Sequence, residues 1–128
     1  MKLEHVAIMV REPAVVAAWY VQHLGLRIIR KQEQSPFIHF LADDSGLSLI
    51  EIYNNPLASV PDYRTVHPLQ FHLAFRCAEV LAERARLIEA GATAEGEPAR
   101  NEAGDVLAML RDPWGVPVQL VCRKQAMV

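Results

Sequence analysis

This sequence has few cysteines, no long apolar run and no cluster of basic residues. It contains 2 cysteines in 128 residues, and Cys77 and Cys122 are too few and too far apart to predict a disulfide framework. We therefore expect free thiols and a reducing, cytoplasmic environment. The apolar run near the start is interrupted at Arg11 and Pro13, which argues against both a signal peptide and a membrane span.

The charge of the chain is nearly balanced. Its 13 Lys and Arg residues face 15 Asp and Glu residues, for a formal net charge of -2. Without a basic cluster there is no electrostatic case for binding nucleic acid or an anionic membrane. A chain of this length can bury a core as one domain without disulfides. We expect its partners to be a small molecule and a second copy of itself.

One pattern occurs twice along the chain. His5, early in an apolar segment, recurs as His72 at an offset of 67 residues. Glu51, late in an apolar segment, recurs as Gln119 at an offset of 68 residues. A shared register of this kind indicates an internal duplication. It would place four polar side chains, each able to bind a metal, in symmetry-related positions.

The first half predicts a strand, a helix and three more strands. Alternation in the first strand places His5, Ala7 and Met9 on one face, so that His5 points away from the side that the helix covers. Pro13 suits the first turn of the helix, and Gly25 ends it. The predicted strands are Lys2 to Val10, Leu26 to Lys31, Phe37 to Ala42 and Leu47 to Tyr53.

The second half repeats that order after a proline-rich segment. We expect a single domain over residues 1–128, with module one at about 1–53, a linker at 54–67 and module two at about 68–122. Between Gly91 and Glu102, glycine, proline and charged residues predict a strand that is short or irregular. The other predicted elements are strands at Leu69 to Arg76, Asp105 to Arg111 and Val116 to Val121, a helix at Glu79 to Ala90, and an Asp112-Pro113-Trp114-Gly115 turn.

Paired β-α-β-β-β modules, a histidine opening each module, and an Asp-Pro-x-Gly turn before the last strand resemble the vicinal oxygen chelate superfamily. This superfamily includes glyoxalases, bleomycin resistance proteins and dioxygenases, and the ligand pattern is most similar to that of glyoxalase I-like proteins. The resemblance extends from about Met1 to Val121. It implies an α+β fold in which the two modules form an eight-stranded, incompletely closed sheet around a metal cleft.

The resemblance also implies a set of metal ligands, which fall on His5, Glu51, His72 and Gln119. Two imidazoles, a carboxylate and an amide oxygen suit one divalent ion of Zn, Ni, Co, Mn or Fe. The chain departs from the family pattern at Gln119, where most metal-dependent relatives carry Glu. An amide can bind a metal but cannot act as a base, and the resemblance implies Glu51 as the catalytic base.

The activity implied is that of a lyase or isomerase of the glyoxalase I type, with proton transfer through a metal-chelated enediolate. Glutathione or another thiol is the expected co-substrate. One alternative is an extradiol-type dioxygenase or an epimerase, and another is a metal-free protein that sequesters a drug, as bleomycin resistance proteins do. Relatives commonly form homodimers, and the sequence leaves open whether the cleft is completed within one chain or across two.

Each candidate residue also has an ordinary structural interpretation. A single histidine on a strand is more often a hydrogen-bonded structural residue, although the matched positions of His5 and His72 favour metal binding. Glu51 lies within an apolar strand, where an unpaired charge is costly unless it lies on a solvated edge. Gln119 suits a ligand or an ordinary strand residue, and His39 could line the cleft, although the pattern favours the core or a sheet edge. The possible anion anchors are Arg27, Arg30, Arg76, Arg100 and Arg111.

Overall fold

The computed structural model describes residues 1–127, and the chain divides into two compact units. The first unit is Met1–Pro61, and the second unit begins at Asp62. The division lies inside the segment that the sequence predicts as a linker. Each unit contains one four-stranded sheet.

The first unit has the order strand, helix, strand, strand, strand. Its sheet has the strand order β1-β4-β3-β2, in which the first and last strands are parallel and the other neighbours are antiparallel. The last strand of the unit is therefore an inner strand with two neighbours. The elements are β1 (His5–Met9), α1 (Pro13–Leu24), β2 (Arg27–Lys31), β3 (His39–Ala42) and β4 (Leu49–Tyr53).

Helix α1 covers one face of this sheet. It begins at Pro13, whose fixed φ suits the first helical turn, and it ends at Gly25, whose φ of 71° lies in the left-handed region. Val16 and Tyr20 are fully buried on the helix, and Leu41 is fully buried on the sheet. Because strand residues alternate between faces, this packing leaves the opposite face of the sheet free for polar side chains.

The second unit repeats the architecture, with the strand order β5-β8-β7-β6 and a parallel pair between its first and last strands. Helix α2 buries Val80 and Leu87. The sheet buries Leu110, Val118 and Leu120. The elements are β5 (Leu73–Arg76), α2 (Val80–Glu89), β6 (Thr93–Arg100), β7 (Val106–Arg111) and β8 (Pro117–Cys122), preceded by a short 3-10 turn at Tyr63–Thr65.

Strand β6 agrees with its prediction in being irregular. The sequence predicts a short or irregular strand here, and β6 is irregular but spans 8 residues. Its pairing with β7 shifts between Glu95 and Ala99, and Gly96 within the shift has a φ of 72°. A bulge therefore accommodates Gly96 and Pro98, and the strand continues beyond them.

The turn between β7 and β8 is built around a buried carboxylate. Asp112 Oδ1 accepts hydrogen bonds from the backbone N–H groups of Trp114 at 2.9 Å and Val116 at 2.8 Å. The Gly115 N–H donates to the Asp112 carbonyl at 3.0 Å, which closes the predicted turn. Gly115 has a φ of 94°, and a Cβ there would lie 2.5 Å from Arg64 Cγ. The turn thus requires glycine for both its conformation and its packing.

Arg111 connects the parts of the second unit. Its guanidinium donates to Glu95 through Nε at 2.8 Å and through an Nη at 3.4 Å. The remaining N–H groups donate to the carbonyls of Tyr63 at 2.9 Å, Gly115 at 3.1 Å and Val66 at 3.1 Å. A guanidinium has about five N–H donors, and these bonds occupy all of them. Arg111 therefore serves the fold, and it is not available as an anion anchor.

A second buried carboxylate, Asp105, anchors the end of the second unit. It accepts from Arg123 at 2.7 Å, from the Lys124 N–H at 2.9 Å and from Asn101 at 3.2 Å. The hydrogen bond from Arg123 is the main cause that lowers the pKa of Asp105, and the bonds from Lys124 and Asn101 add to it.

The predicted fold class is confirmed, because both units have the β-α-β-β-β order of an α+β fold with mixed sheets. Most strands are shorter than predicted, most clearly β1, which begins at His5 rather than Lys2, and β5, which begins at Leu73 rather than Leu69. Among the described residues, no helix is both long enough and apolar enough to cross a membrane.

Candidate functional site

His5 and Glu51 meet on the face of the first sheet that α1 does not cover. Ala7 pairs with Glu51 across the parallel strands, and Phe40 pairs with Glu51 on the other side. His5 lies two residues before Ala7 on the same face. Its Nε2 atom is 3.2 Å from Glu51 Oε2, and the two side chains are 31% and 15% exposed. The structure thus brings together two of the four predicted ligands.

The other contacts of His5 determine what this pair can do. Its Nδ1 atom contacts the carboxylate of Glu4, and its ring lies 5.4 Å from the ring of Phe40 at an interplanar angle of 75°. A neutral imidazole carries one N–H, and a carboxylate at Nδ1 favours the proton there. The Nε2 lone pair then faces a carboxylate oxygen of Glu51. The imidazole lone pair and the carboxylate oxygen are both acceptors, so they attract each other only when a proton or a cation lies between them.

The second unit repeats this geometry in its register. Gln119 pairs with Ala74, and His72 lies two residues before Ala74, just as His5 lies two residues before the partner of Glu51. His72 Nδ1 is 2.8 Å from the Pro68 carbonyl, which leaves its Nε2 lone pair available. Among residues 1–127, no hydrogen bond joins His72 to Gln119. The repeated spacing in the sequence is therefore matched by an equivalent position in each sheet.

The first unit by itself brings together two of the predicted metal ligands. Over the described part of the chain, no group of three or more His, Cys, Asp or Glu side chains is arranged to hold a metal ion. The separation of 3.2 Å between His5 and Glu51 nevertheless suits neighbouring ligands. Two ligands on adjacent corners of an ion, with bonds of about 2.1 Å, lie about 3.0 to 3.4 Å apart. The pair fits half of a divalent metal site.

His39 lies on the other face of the first sheet. It pairs with Ile52, whereas its neighbour Phe40 pairs with Glu51. The His39 side chain is buried, and its Nδ1 atom is 2.8 Å from the Phe37 carbonyl. Of the positions that the sequence leaves open for His39, the structure supports the core.

Four of the five candidate arginines lie on the faces that carry the predicted ligands, and three of these four are exposed. Arg27 pairs with Ala42 and Arg30 with Phe40, so both share the face of Glu51. Arg76 shares the face of His72 on the second sheet, because it follows Ala74 by two residues on β5. All three arginines are exposed. Of the other two, Arg100 donates to the Gly104 carbonyl at 2.7 Å, and Arg111, the fourth arginine on these faces, belongs to the network described above.

The two cysteines are free and half-buried in the second unit. Burial is the main cause that raises the pKa of the Cys77 thiol, and the nearby Glu83 carboxylate adds to it. A thiol of raised pKa stays protonated at neutral pH and is a weak nucleophile and metal ligand. Cys77 is therefore not a candidate for the site.

Sequence reasoning missed the two residues that hold His5. The alternation of β3 could have found Phe40, since it places Phe40 on one face and His39 on the other. Glu4 gives no such signal, because an exposed glutamate before a strand is ordinary in any soluble domain. Its contact depends on where β1 begins.

The sequence also matches a known protein family. Residues 2–120 match the model of the Glyoxalase/Bleomycin resistance protein/Dioxygenase superfamily. The chain belongs to this superfamily. The family resemblance inferred from the repeated motifs is thereby confirmed. No protein of curated function matches the chain significantly in sequence.

Solved structures show the same superfamily fold. A glyoxalase family protein from Bacillus cereus aligns with a TM-score of 0.81 at 18% identity, covering 96% of this chain and 94% of the other. A glyoxalase/bleomycin resistance protein/dioxygenase family enzyme from Burkholderia phytofirmans PsJN aligns at 0.75 and 24% identity, covering 96% and 99%. TnmS3, an antibiotic binding protein from Streptomyces sp. CB03234, aligns at 0.71 and 21% identity, covering 97% and 99%. At these identities the similarity establishes the fold.

Proposed function

We propose that this superfamily member is a divalent-metal-dependent lyase or isomerase of the glyoxalase I type. His5 and Glu51 of the first unit and His72 and Gln119 of the second unit would hold the ion. The two halves of the site would come from one chain or from two chains of a homodimer. The ion expected from this mixed nitrogen and oxygen set is Zn, Ni, Co, Mn or Fe.

The observation that carries the proposal is the contact of His5 with two carboxylates. Glu4 lies at Nδ1, and Glu51 lies 3.2 Å from Nε2. An imidazole whose proton is held at one nitrogen offers a lone pair at the other. A second acceptor beside that lone pair is unfavourable unless a proton or a cation lies between them. The matched position of His72, with Nδ1 at a carbonyl, supplies the same kind of ligand from the second unit.

Glu51 is the proposed base. Bound at such a site, a divalent ion supplies Lewis acidity to a substrate with two adjacent oxygens. The Glu51 carboxylate would take a carbon-bound proton beside a carbonyl and return it to the neighbouring carbon, so that no net oxidation occurs. Gln119 occupies the equivalent position on the second sheet, but its neutral amide cannot accept that proton.

The arginines support an anionic substrate. Arg27 and Arg30 are exposed on the face that carries Glu51, and Arg76 is exposed on the face that carries His72. A guanidinium binds a carboxylate through two parallel hydrogen bonds. A small oxygenated substrate that carries carboxylates fits this set, and a glutathione adduct is one such molecule.

The test measures metal content and activity together. Purified wild-type protein is compared with Glu51→Gln and with His23→Gln, a control on α1, the helix over the opposite face of the sheet. We expect about one divalent ion per chain and isomerisation of a methylglyoxal and glutathione mixture. Glu51→Gln should lower kcat by about 10²- to 10⁴-fold, the usual contribution of a general base. The control should retain both properties.

Two outcomes would contradict parts of the proposal. Metal binding without this activity would keep the ligands and overturn the glyoxalase-type reaction, which would favour an epimerase or, with Fe and oxygen consumption, a dioxygenase. No binding of Zn, Ni, Co, Mn or Fe would overturn the metal-dependent enzyme as a whole.

A metal-free binding protein is the second candidate. With Gln119 in place of a second glutamate, the site carries one negative charge fewer. This weakens its attraction for a cation. The antibiotic binding protein TnmS3 shares the fold. Under this alternative Phe40 and the arginines beside Glu51 would contact an anionic or aromatic ligand. Binding of such a ligand by protein that takes up no metal would support this candidate.

A further inference from the structure

Glu4 is an exposed residue with an unusual neighbour. Its side chain is 74% exposed and lies just before β1, yet its carboxylate contacts His5 Nδ1. We propose that Glu4 is a positioning residue, which holds the His5 proton on Nδ1 and so keeps Nε2 free to bind a cation. The part of this inference that concerns the cation rests on the proposed function.

Two carboxylates compete for the single proton of neutral His5. If Glu51 held that proton, Nε2 would become a donor and lose the lone pair that a metal needs. Glu4 opposes this outcome, because a carboxylate at Nδ1 stabilises the N–H on that side of the ring. Since the Nε2 to Oε2 distance is already 3.2 Å, removing Glu4 should let the proton move to the Glu51 side.

Phe40 helps to hold the plane of the His5 ring. The Phe40 ring, 5.4 Å from the His5 ring at an angle of 75°, packs edge-on against it. Such contacts between aromatic rings favour defined orientations. With the ring plane held in this way, Glu4 determines which nitrogen carries the proton.

In the second unit a backbone carbonyl, rather than a carboxylate, contacts Nδ1 of the histidine. His72 Nδ1 is 2.8 Å from the carbonyl of Pro68, and a carbonyl is an acceptor that no side-chain substitution removes. The two histidines therefore differ in one respect. The orientation of His5 depends on a charged side chain, whereas that of His72 depends on the path of the chain.

The first experiment reads the tautomer directly in metal-free protein. Long-range ¹H–¹⁵N spectra of the ring nitrogens are recorded at a pH where His5 is neutral, with His5→Gln used to assign its signals. We expect the Nδ1–H form in the wild type and a shift toward the Nε2–H form in Glu4→Ala. An Nε2–H form in the wild type, or an unchanged spectrum in Glu4→Ala, would overturn the positioning role.

The second experiment measures affinity for Co²⁺ by its visible absorption. Glu4→Ala should weaken binding by about tenfold, the lower end of the effect of a residue that orients a ligand. Glu4→Gln should lose less, since its amide oxygen still accepts from Nδ1. The matched control is Glu12→Ala, which removes an exposed glutamate of the same unit that makes no side-chain cap, and it should bind as the wild type does.

The two experiments separate the two proposals. Equal affinity of Glu4→Ala and Glu12→Ala would overturn the effect of Glu4 on metal binding, even if the wild type binds Co²⁺ tightly. Failure of the wild type to bind any Co²⁺ would overturn the proposed function instead. In that case the spectra of the metal-free protein would still decide whether Glu4 sets the tautomer.

Discussion

The two units share a strand order and a register, but their buried and half-buried carboxylates have different partners. In the second unit Asp105 and Asp112 accept two or more hydrogen bonds each from backbone N–H groups and side chains. In the first unit Glu51 is 15% exposed, and its charged partner among the described residues is His5. A carboxylate whose oxygens accept several hydrogen bonds from the protein itself has a structural role. One that faces an imidazole remains available for chemistry.

The arginines show the same contrast. Arg111 of the second unit has every donor occupied, whereas Arg27 and Arg30 of the first unit are exposed beside the candidate site. The two units thus carry polar residues of two kinds, some bonded within the fold and others exposed. Substitutions in the second unit should therefore lower stability more than substitutions at the site of the first unit, where activity should be lost instead.

The largest effect on stability should come from Arg111→Ala. The change removes the hydrogen bonds that Arg111 donates to the Glu95 carboxylate and to the carbonyls of Tyr63, Val66 and Gly115. We expect the free energy of unfolding to fall by about 3 to 5 kcal/mol, because several hydrogen bonds are lost at once and partly buried acceptors cost about 1 to 3 kcal/mol each when unsatisfied. Urea unfolding measures this, with Arg100→Ala as the exposed control. Equal losses in the two variants would contradict the structural role of Arg111.

Gly115→Ala should have the next largest effect. A Cβ at Gly115 would lie 2.5 Å from Arg64 Cγ and 3.0 Å from the Arg64 backbone nitrogen, at a φ of 94°. We expect a loss of about 2 to 4 kcal/mol from strain and overpacking together. Gly25→Ala is the matched control, with a φ of 71° and no atom within 4 Å of the added Cβ. It should cost about 1 kcal/mol, and an equal loss at both positions would remove the packing argument.

Asp105 should make the second unit sensitive to acid. Hydrogen bonds, first from Arg123, hold its pKa below the ordinary value in the folded protein. Its contribution to stability is therefore present above the unfolded-state pKa of about 3.9 and is lost as the pH falls through the folded-state pKa. The difference in thermal midpoint between wild type and Asp105→Asn should be larger at pH 7 than at pH 3. A constant difference would contradict the assignment.

The smallest effect on stability should come from Glu51→Gln. The change removes one charge at a half-buried position and keeps the shape of the side chain, so we expect unfolding free energy to change by less than about 1 kcal/mol. The same variant should lose metal-dependent activity, as described above. A large loss of stability would show that Glu51 is a structural carboxylate like Asp105, and the contrast between the units would fail.

Most of the fold follows from patterns that the sequence displays. The repeat, the alternation in β1 and the Pro13 and Gly25 boundaries predict both units and the face on which His5 lies. Strand ends were less accurate, because a strand ends where its neighbour stops pairing rather than where apolar alternation stops. β1 begins at His5, opposite Leu49, the first residue of β4.

The sequence predicts only part of the candidate site, because burial and contacts depend on how the strands pair. The repeat identifies His5 and Glu51, which lie in contact, and their role as metal ligands stays a prediction. Nothing in the sequence distinguishes Arg111 from Arg30 as an anion anchor, since burial depends on which strand each arginine occupies and on what the neighbouring loops cover. The contact of Glu4 likewise depends on the start of β1, which is a property of strand pairing.

The parallel pairing of first and last strands also determines what kind of gene segment could have been copied. In each unit the last strand is an inner one, flanked by the first strand and by its predecessor in the chain. A shorter copy would have left that strand with unpaired backbone groups along one edge. A copy of a whole module brings both neighbours with it. The offset of 67 residues between His5 and His72 is long enough to contain such a module, and a duplicate of that length could have been inherited with its sheet already complete.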